Sequence, residues 1–130
     1  MLHLAGVLRD GMLKEMKWHE GFGAVMRAKV GGLRGLKQAA GPEAEMVLFS
    51  SVTALIGNVG QANYGAGNGF LDGFAEGREG SVAINWGAWE VGMYAKLDAR
   101  LKTMGKGLEE SEAGELLESV KAAGRGRAWE

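Results

Sequence analysis

The chain has 130 residues, 46% of them hydrophobic, and a formal net charge of −1, enough apolar content to bury a small core and no basic excess that would mark a nucleic-acid surface. No apolar stretch reaches the roughly 18 residues of a membrane span and no leader opens the chain, so neither nucleic acid nor membrane is an expected partner and the expected compartment is cytoplasmic. Cysteine is absent, which excludes a disulfide framework, a thiolate nucleophile and a cysteine metal site, and His3 and His19 alone make a poor metal set.

Leu2-His3-Leu4-Ala5-Gly6-Val7 is short and apolar and predicts the tail of a buried strand whose beginning lies outside this chain. From about Lys14 to Gln38, Met16, Phe22, Val25, Met26, Val30, Leu33 and Leu36 keep helical spacing. They predict one amphipathic helix, or two with a break near Gly21–Gly23, stopped by Gly41-Pro42. Met46 to Ser50 is apolar without alternation and predicts a strand buried on both faces, as in parallel sheets. Residues 53 to 62 are expected to be loop, Asn63 to Arg78 helix, and Ser81 to Trp86 a second buried strand. The order β, α, β, α, β predicts an α/β protein with a parallel sheet and crossover helices. Trp89, Met93, Tyr94 and Leu97 then form a mixed segment suited to covering a cleft, and Ser111 is the expected N-cap of a helix running to about Ala123.

Residues 47 to 95 hold only Asp72, Glu76, Arg78, Glu79 and Glu90 as charges, so this middle stretch is the expected core and site. Ser51 closes the apolar run, and Tyr64 and Asn68 follow, four residues apart on one helix face. A strand that delivers a hydroxyl and a helix that delivers a phenol and an amide suit the handling of a carbonyl group. Reduction of a ketone by a nicotinamide cofactor needs a proton donor for the oxygen and groups that hold it as negative charge develops. Tyr64 suits the acid role, Ser51 the hydrogen bond to the carbonyl, Asn68 a proton path, and Lys29 is the candidate cation that lowers the phenol's pKa.

Each residue also has a plainer reading. Ser51 alone would satisfy a strand-end backbone group, Tyr64 would be a half-buried aromatic, Asn68 would bond the helix backbone or a water, and Lys29 would be solvated. Asp10 would cap a helix, and His3, Trp86 and Trp89 would pack.

The blocks His3-Leu4-Ala5-Gly6-Val7-Leu8-Arg9-Asp10-Gly11, Val25-Met26-Arg27-Ala28-Lys29-Val30-Gly31-Gly32, Val47-Leu48-Phe49-Ser50-Ser51, Gly60-Gln61-Ala62-Asn63-Tyr64 through Asp72, and Ile84-Asn85-Trp86-Gly87-Ala88-Trp89 before Gly92-Met93 resemble the ketoreductase domains of modular polyketide synthases and fatty-acid synthases, in the short-chain dehydrogenase/reductase superfamily. Most of that superfamily carries lysine four residues after the tyrosine. The ketoreductases resemble this chain instead, with asparagine there and the lysine on the preceding helix.

The resemblance implies a partial Rossmann-like, doubly wound parallel sheet: the C-terminal half, with about three strands and flanking helices, its first βαβ units and last strand missing. Residues 1–130 would be a single partial domain, 1–93 the catalytic core and 94–130 a lid and C-terminal helix. It further implies a tetrad of Lys29, Ser51, Tyr64 and Asn68, NADPH held by His3, Ala5, Gly6, Trp86 and Gly87, and substrate or stereocontrol contacts at Asp10, Gln61, Asn63 and Met93. The implied reaction is reduction of a β-ketoacyl thioester, carried on the phosphopantetheine arm of an acyl carrier protein, with the remaining synthase domains in cis. Leu8-Arg9-Asp10 stands where D-type enzymes carry Leu-Asp-Asp, and Ile56 where L-type enzymes carry tryptophan, which favours the D product although Arg9 departs from the pattern. The glycine-rich phosphate loop belongs to the first strand and helix of the fold, so the isolated chain is expected to be a weak or inactive catalyst. The competing expectation is a non-catalytic scaffold or decayed fragment, marked by a glycine content of 23 residues, or a related dehydrogenase acting on another carbonyl. Gly65, Gly67, Gly69, Gly73 and Gly77, if all interior to the helix, would cost it about 4 to 5 kcal/mol against alanine.

Overall fold

The computed structural model describes residues 1–88 and 108–123. Its elements are β1 (Leu2–His3), α1 (Gly23–Met26), α2 (Gly32–Ala40), β2 (Met46–Ser51), α3 (Thr53–Ile56), α4 (Ala62–Glu76), β3 (Ser81–Trp86) and α5 (Glu110–Ala123). Met1–Asn85 forms one compact unit and Trp86–Glu130 a second. The strands make a parallel sheet in the order β1-β2-β3, with Leu2 opposite Val47 and His3 opposite Leu48. This is the α/β architecture the element order predicted.

The core of the first unit is Leu33, Met46, Leu48 and Leu71, with Phe74, Ala75 and Ala83 packed against it. Side chains alternate across a strand, so Met46 and Leu48 face α2 and α4 while Val47 and Phe49 stay partly exposed on the other face. The expectation of strands buried on both faces is thereby corrected: β3 is partly exposed until Trp86, and in β1 only His3 is buried, with Leu2 and neighbouring Leu4 exposed. Arg78 ties the unit together from the end of α4, donating from Nη1 to the Ala44 carbonyl and Ser81 Oγ, both at 2.9 Å.

Of the two expectations for the helical stretch, the single helix holds, with a later start than Lys14. Trp18 to Ala40 is one continuous run, in which α1 and α2 are joined by the π-helical stretch Arg27–Gly31 and preceded by another, Trp18–Phe22. The break lies upstream of the glycines, where Met16 and Lys17 are extended with ψ of 120° and 127°. Gly21 serves contact instead: a Cβ there would stand 2.5 Å from Met16 Cγ. In the stretch expected as loop, Thr53–Ile56 forms a helical turn, α3. A Cβ at Gly65 would lie 3.1 Å from the Thr53 carbonyl, so this glycine lets α4 approach α3. Gly77 is the C-cap of α4, leaving four interior glycines and a propensity cost nearer 3 to 4 kcal/mol.

In the second unit, the Leu108 amide donates to the Ala88 carbonyl at 2.8 Å and Ala113 of α5 is buried. Ser111 is not the N-cap: α5 begins at Glu110, and the Glu109 amide donates to Glu112 Oε2 at 2.9 Å. That bond satisfies one of the free amide groups at the helix start, where acidic side chains also favour the dipole. Trp89, Met93, Tyr94 and Leu97 lie outside the described residues.

Candidate active site

Lys29 sits in the π-helical stretch between α1 and α2, on the stripe Val25, Lys29, Leu33, all three buried. Local π-helical widening recurs at functional sites. The Lys29 ammonium donates to the Phe49 carbonyl on β2 at 2.7 Å and lies 5.7 Å from the centre of the Tyr64 ring. Burial lowers its pKa from 10.5 to about 8, and the negative charge of Asp72 acts the other way. At neutral pH the group is therefore largely charged. From β1, His3 Nε2 donates to the Lys29 carbonyl at 2.8 Å. Burial holds His3 below the ordinary imidazole range, which keeps it a neutral ring with one N–H to give. Its seat depends on Gly32, where a Cβ would approach His3 Cε1 to 2.7 Å.

From α4, Tyr64, Asn68 and Asp72 repeat every four residues and so share one face. Gly67 brings that helix onto Lys29: a Cβ there would stand 3.2 Å from Val25 Cγ1 and 3.3 Å from Lys29 Cγ. Tyr64 is half-buried, and burial raises its pKa above 10.0; Asn68 opposes this and Asp10 adds to it. The expectation that a nearby ammonium lowers the phenol's pKa is thus corrected. Desolvation dominates, and the ammonium is engaged with the Phe49 carbonyl. Asn68 is fully buried, with Nδ2 donating to the Tyr64 carbonyl at 2.9 Å, so the plainer reading of a helix-bonded amide holds for that atom. Its Oδ1 is buried with no partner.

Ser51, buried at the carboxyl end of β2, accepts the Thr53 amide on Oγ at 3.2 Å, which leaves its own O–H available to donate. Behind it lie three residues not expected from the sequence: Ser50, Asp72 and Asn85. Asn85 Nδ2 donates to Asp72 Oδ2 at 2.9 Å, Ser50 Oγ at 3.2 Å and the Ser51 carbonyl at 3.3 Å. Ser50 Oγ donates to the Asn68 carbonyl at 3.2 Å. The signal for Asp72 was present, since it continues the four-residue spacing of Tyr64 and Asn68; Asn85 and Ser50 carry no local signal.

The residues expected to contact substrate form a clip. Gln61 Nε2 donates to Asp10 Oδ2 at 2.9 Å while its Oε1 accepts from Asn58 Nδ2 at 3.0 Å. Asp10 therefore does not cap a helix. Asn63, fully buried, donates from Nδ2 to the Arg9 carbonyl at 2.7 Å and accepts the Tyr64 amide on Oδ1 at 2.8 Å. Gly60, with φ of 77°, turns the chain so that its carbonyl accepts the Gly11 amide at 2.8 Å. Ala5 and Gly6 are exposed just past β1, Ile56 is exposed on α3, and in the second unit Trp86 is buried at the end of β3 with Gly87 after it. Met93 lies outside the described residues. Among the described residues no cluster of histidine and acidic side chains is suited to a metal ion, and no helix is long and apolar enough to cross a membrane.

A hydroxyl at the end of the middle strand, with a phenol, a buried ammonium and a carboxamide on two helices packed beside it, stands on a Rossmann-like sheet. The chain belongs to the KR domain family, which matches residues 1–91. It is 38% identical over 108 residues to the phenolphthiocerol synthesis polyketide synthase type I Pks15/1 of Mycobacterium bovis, covering 77% of this chain and 5% of that protein. Among solved structures it is similar to PlmKR1, the ketoreductase from the first module of phoslactomycin biosynthesis in Streptomyces sp. HK803, at 34% identity and a TM-score of 0.76, covering 90% of this chain and 29% of that one. A ketoreductase domain from the bacillaene assembly line matches at 30% identity and a TM-score of 0.78, over 94% of this chain and 33% of that one.

Proposed function

We propose that this chain supplies the catalytic side of an NADPH-dependent β-ketoacyl reductase, acting on a β-ketoacyl thioester tethered to the phosphopantetheine arm of an acyl carrier protein, with other synthase domains in cis. The observation that carries the reading is the buried Lys29 ammonium 5.7 Å from the Tyr64 ring, contributed by a different helix. On the same reading, residues 1–93 are the catalytic core and 94–130 a lid and C-terminal helix.

The residues present fit the cofactor. A lysine ammonium has three N–H donors, and Lys29 gives one to Phe49, so the others suit sugar hydroxyls. Ala5 and Gly6 are exposed past the carboxyl end of β1, the edge at which parallel sheets bind nucleotides. His3 supports from behind, its Nε2 being spent on the Lys29 carbonyl. When bound, NADPH supplies the hydride that adds to the carbonyl carbon.

Tyr64, whose raised pKa keeps the proton on the phenol at neutral pH, gives that proton to the substrate oxygen. Ser51 donates its free O–H to the same oxygen and holds it as charge develops. Asn68 Oδ1, an acceptor without a protein partner, receives the donor through which the phenol is reprotonated. The D-configured alcohol is the product favoured, on Asp10 and on Ile56 standing where L-type enzymes carry tryptophan, with Arg9 departing from the D-type pattern. The test is NADPH oxidation by the chain reassembled in its synthase module, started with a carrier-bound β-ketoacyl thioester. Turnover that vanishes in Tyr64→Phe supports the reading, and turnover indifferent to Tyr64 sinks it.

A further inference from the structure

Behind the four proposed catalytic residues lies a polar chain with one permitted direction. Asp72 carries a carboxylate, which only accepts, so the Asn85 amide must turn its NH2 toward it. The NH2 group has two N–H bonds for three acceptors: the shortest contact engages Asp72 Oδ2, and the second N–H is shared between Ser50 Oγ and the Ser51 carbonyl. Were the amide reversed, Asn85 Oδ1 would face the carboxylate and the Ser51 carbonyl, acceptor against acceptor. Because Ser50 Oγ accepts from Asn85, its own proton is free to bond the Asn68 carbonyl. The second oxygen of Asp72, Oδ1, is buried without a protein partner.

We propose that Asp72, acting through Asn85 and Ser50, is a positioning residue that fixes the Ser51 end of β2 against Asn68 of α4 by dictating the direction of every hydrogen bond between them. The proposal rests on the reductase reading for the word catalytic, but the coupling it describes is a property of the fold. The same half-buried carboxylate supplies the negative charge that favours the Lys29 ammonium. The titratable groups acting on Lys29 are His3 from β1 and Tyr64 and Asp72 from α4, while β2 offers it a carbonyl and no titratable side chain.

The test is nuclear magnetic resonance on the whole chain, following the titration of the Lys29 side chain and the hydrogen exchange of the Asn68 side-chain amide. Asp72→Asn, which lets the amide of residue 85 reverse, is expected to reduce the proton affinity of Lys29 about tenfold or more and to speed Asn68 exchange severalfold. Asp72→Glu, which keeps an acceptor-only group, is expected to retain the Lys29 titration. Ser50→Ala, a near-neutral change in volume, is expected to speed Asn68 exchange and leave Lys29 in place, and it decides the matter if Asp72→Asn does not fold. Unchanged Asn68 exchange in Ser50→Ala overturns the proposal. So does an Asp72→Asn chain that folds and titrates like the parent, or a Leu71→Ala core variant that moves both signals alike. If the signals shift as expected but the reassembled module reduces no ketone, the positioning stands and the reductase reading falls. If ketone is reduced and the signals stay, the reverse holds.

Discussion

Two polar clusters meet α4, and they are built on opposite rules. At its start, Asn58, Gln61 and Asn63 use their amide groups, and Asp10 its carboxylate, in mutual or backbone bonds. One to three turns on, Asn68 and Asp72 each keep a buried oxygen with no partner. Buried polar atoms are ordinarily satisfied because an orphan costs about 1 to 3 kcal/mol. The satisfied cluster therefore does the work of a scaffold, locking the 9–11 loop to the head of the helix. On the proposed reading the unsatisfied one holds acceptors for a group that arrives from outside, which would separate stability from activity along a single helix.

The largest effect that tests this division is on turnover. Tyr64→Phe is expected to lower the rate of ketone reduction in the reassembled module about 10²- to 10⁴-fold with little change in the denaturation midpoint, since the ring and its packing remain. Asn63→Ala should do the opposite: it orphans the Arg9 carbonyl and the Tyr64 amide in a buried setting, a loss of about 3 kcal/mol in chemical denaturation.

Lys29 gives the effect a pH dependence. Its pKa falls from 10.5 in the unfolded chain to about 8 in the folded one, so between those values the unfolded state binds more protons and stability rises with pH. Relative to Lys29→Met, the parent should gain up to roughly 3 kcal/mol across that window. Tyr64, with a pKa raised above 10.0, pulls the other way only beyond pH 10, so the interval from 8 to 10 isolates the lysine.

Asn68→Ala sharpens the contrast with Asn63, both residues being fully buried on α4. It removes one hydrogen bond to a helix carbonyl and an oxygen that had none, so a stability loss of about 1 kcal/mol or less is expected, alongside at least tenfold slower turnover. The smallest effect is Gly69→Ala, where a Cβ meets open space in the helix interior and about 0.8 kcal/mol of added stability is expected. Calorimetry that found Gly69→Ala destabilising would mean that α4 is not the regular helix described.

Much of this was legible in the chain, and the gaps have physical causes. Tyr64 and Asn68 were readable because a helix converts a spacing of four into a shared face. Lys29 was set apart from a solvated lysine only by its place in the Ala28-Lys29-Val30-Gly31 block of the family resemblance, and the fold adds that it shares a buried stripe with Val25 and Leu33, four residues on either side. Whether one helix or two ran through Gly21–Gly23 stayed open because glycine's low propensity signals a break, whereas tertiary contact with Met16 rewarded the missing side chain. Asn85 was out of reach altogether, since its bonds to Ser50, Ser51 and Asp72 span 35, 34 and 13 residues. The direction of the Tyr64 shift was equally hidden, because it balances burial against charge and both depend on how closely two helices approach.

That approach is set at Gly67, where a methyl group would stand 3.2 Å from Val25 Cγ1 and 3.3 Å from the stem of Lys29, closer than such groups ordinarily pack. One hydrogen atom in place of a carbon thus acts as the shim between the cation and the phenol. Gly67→Ala would gain helix propensity and still press on the lysine, so a survey of this chain by melting temperature alone would file the position under packing and overlook its hold on the distance between ammonium and phenol.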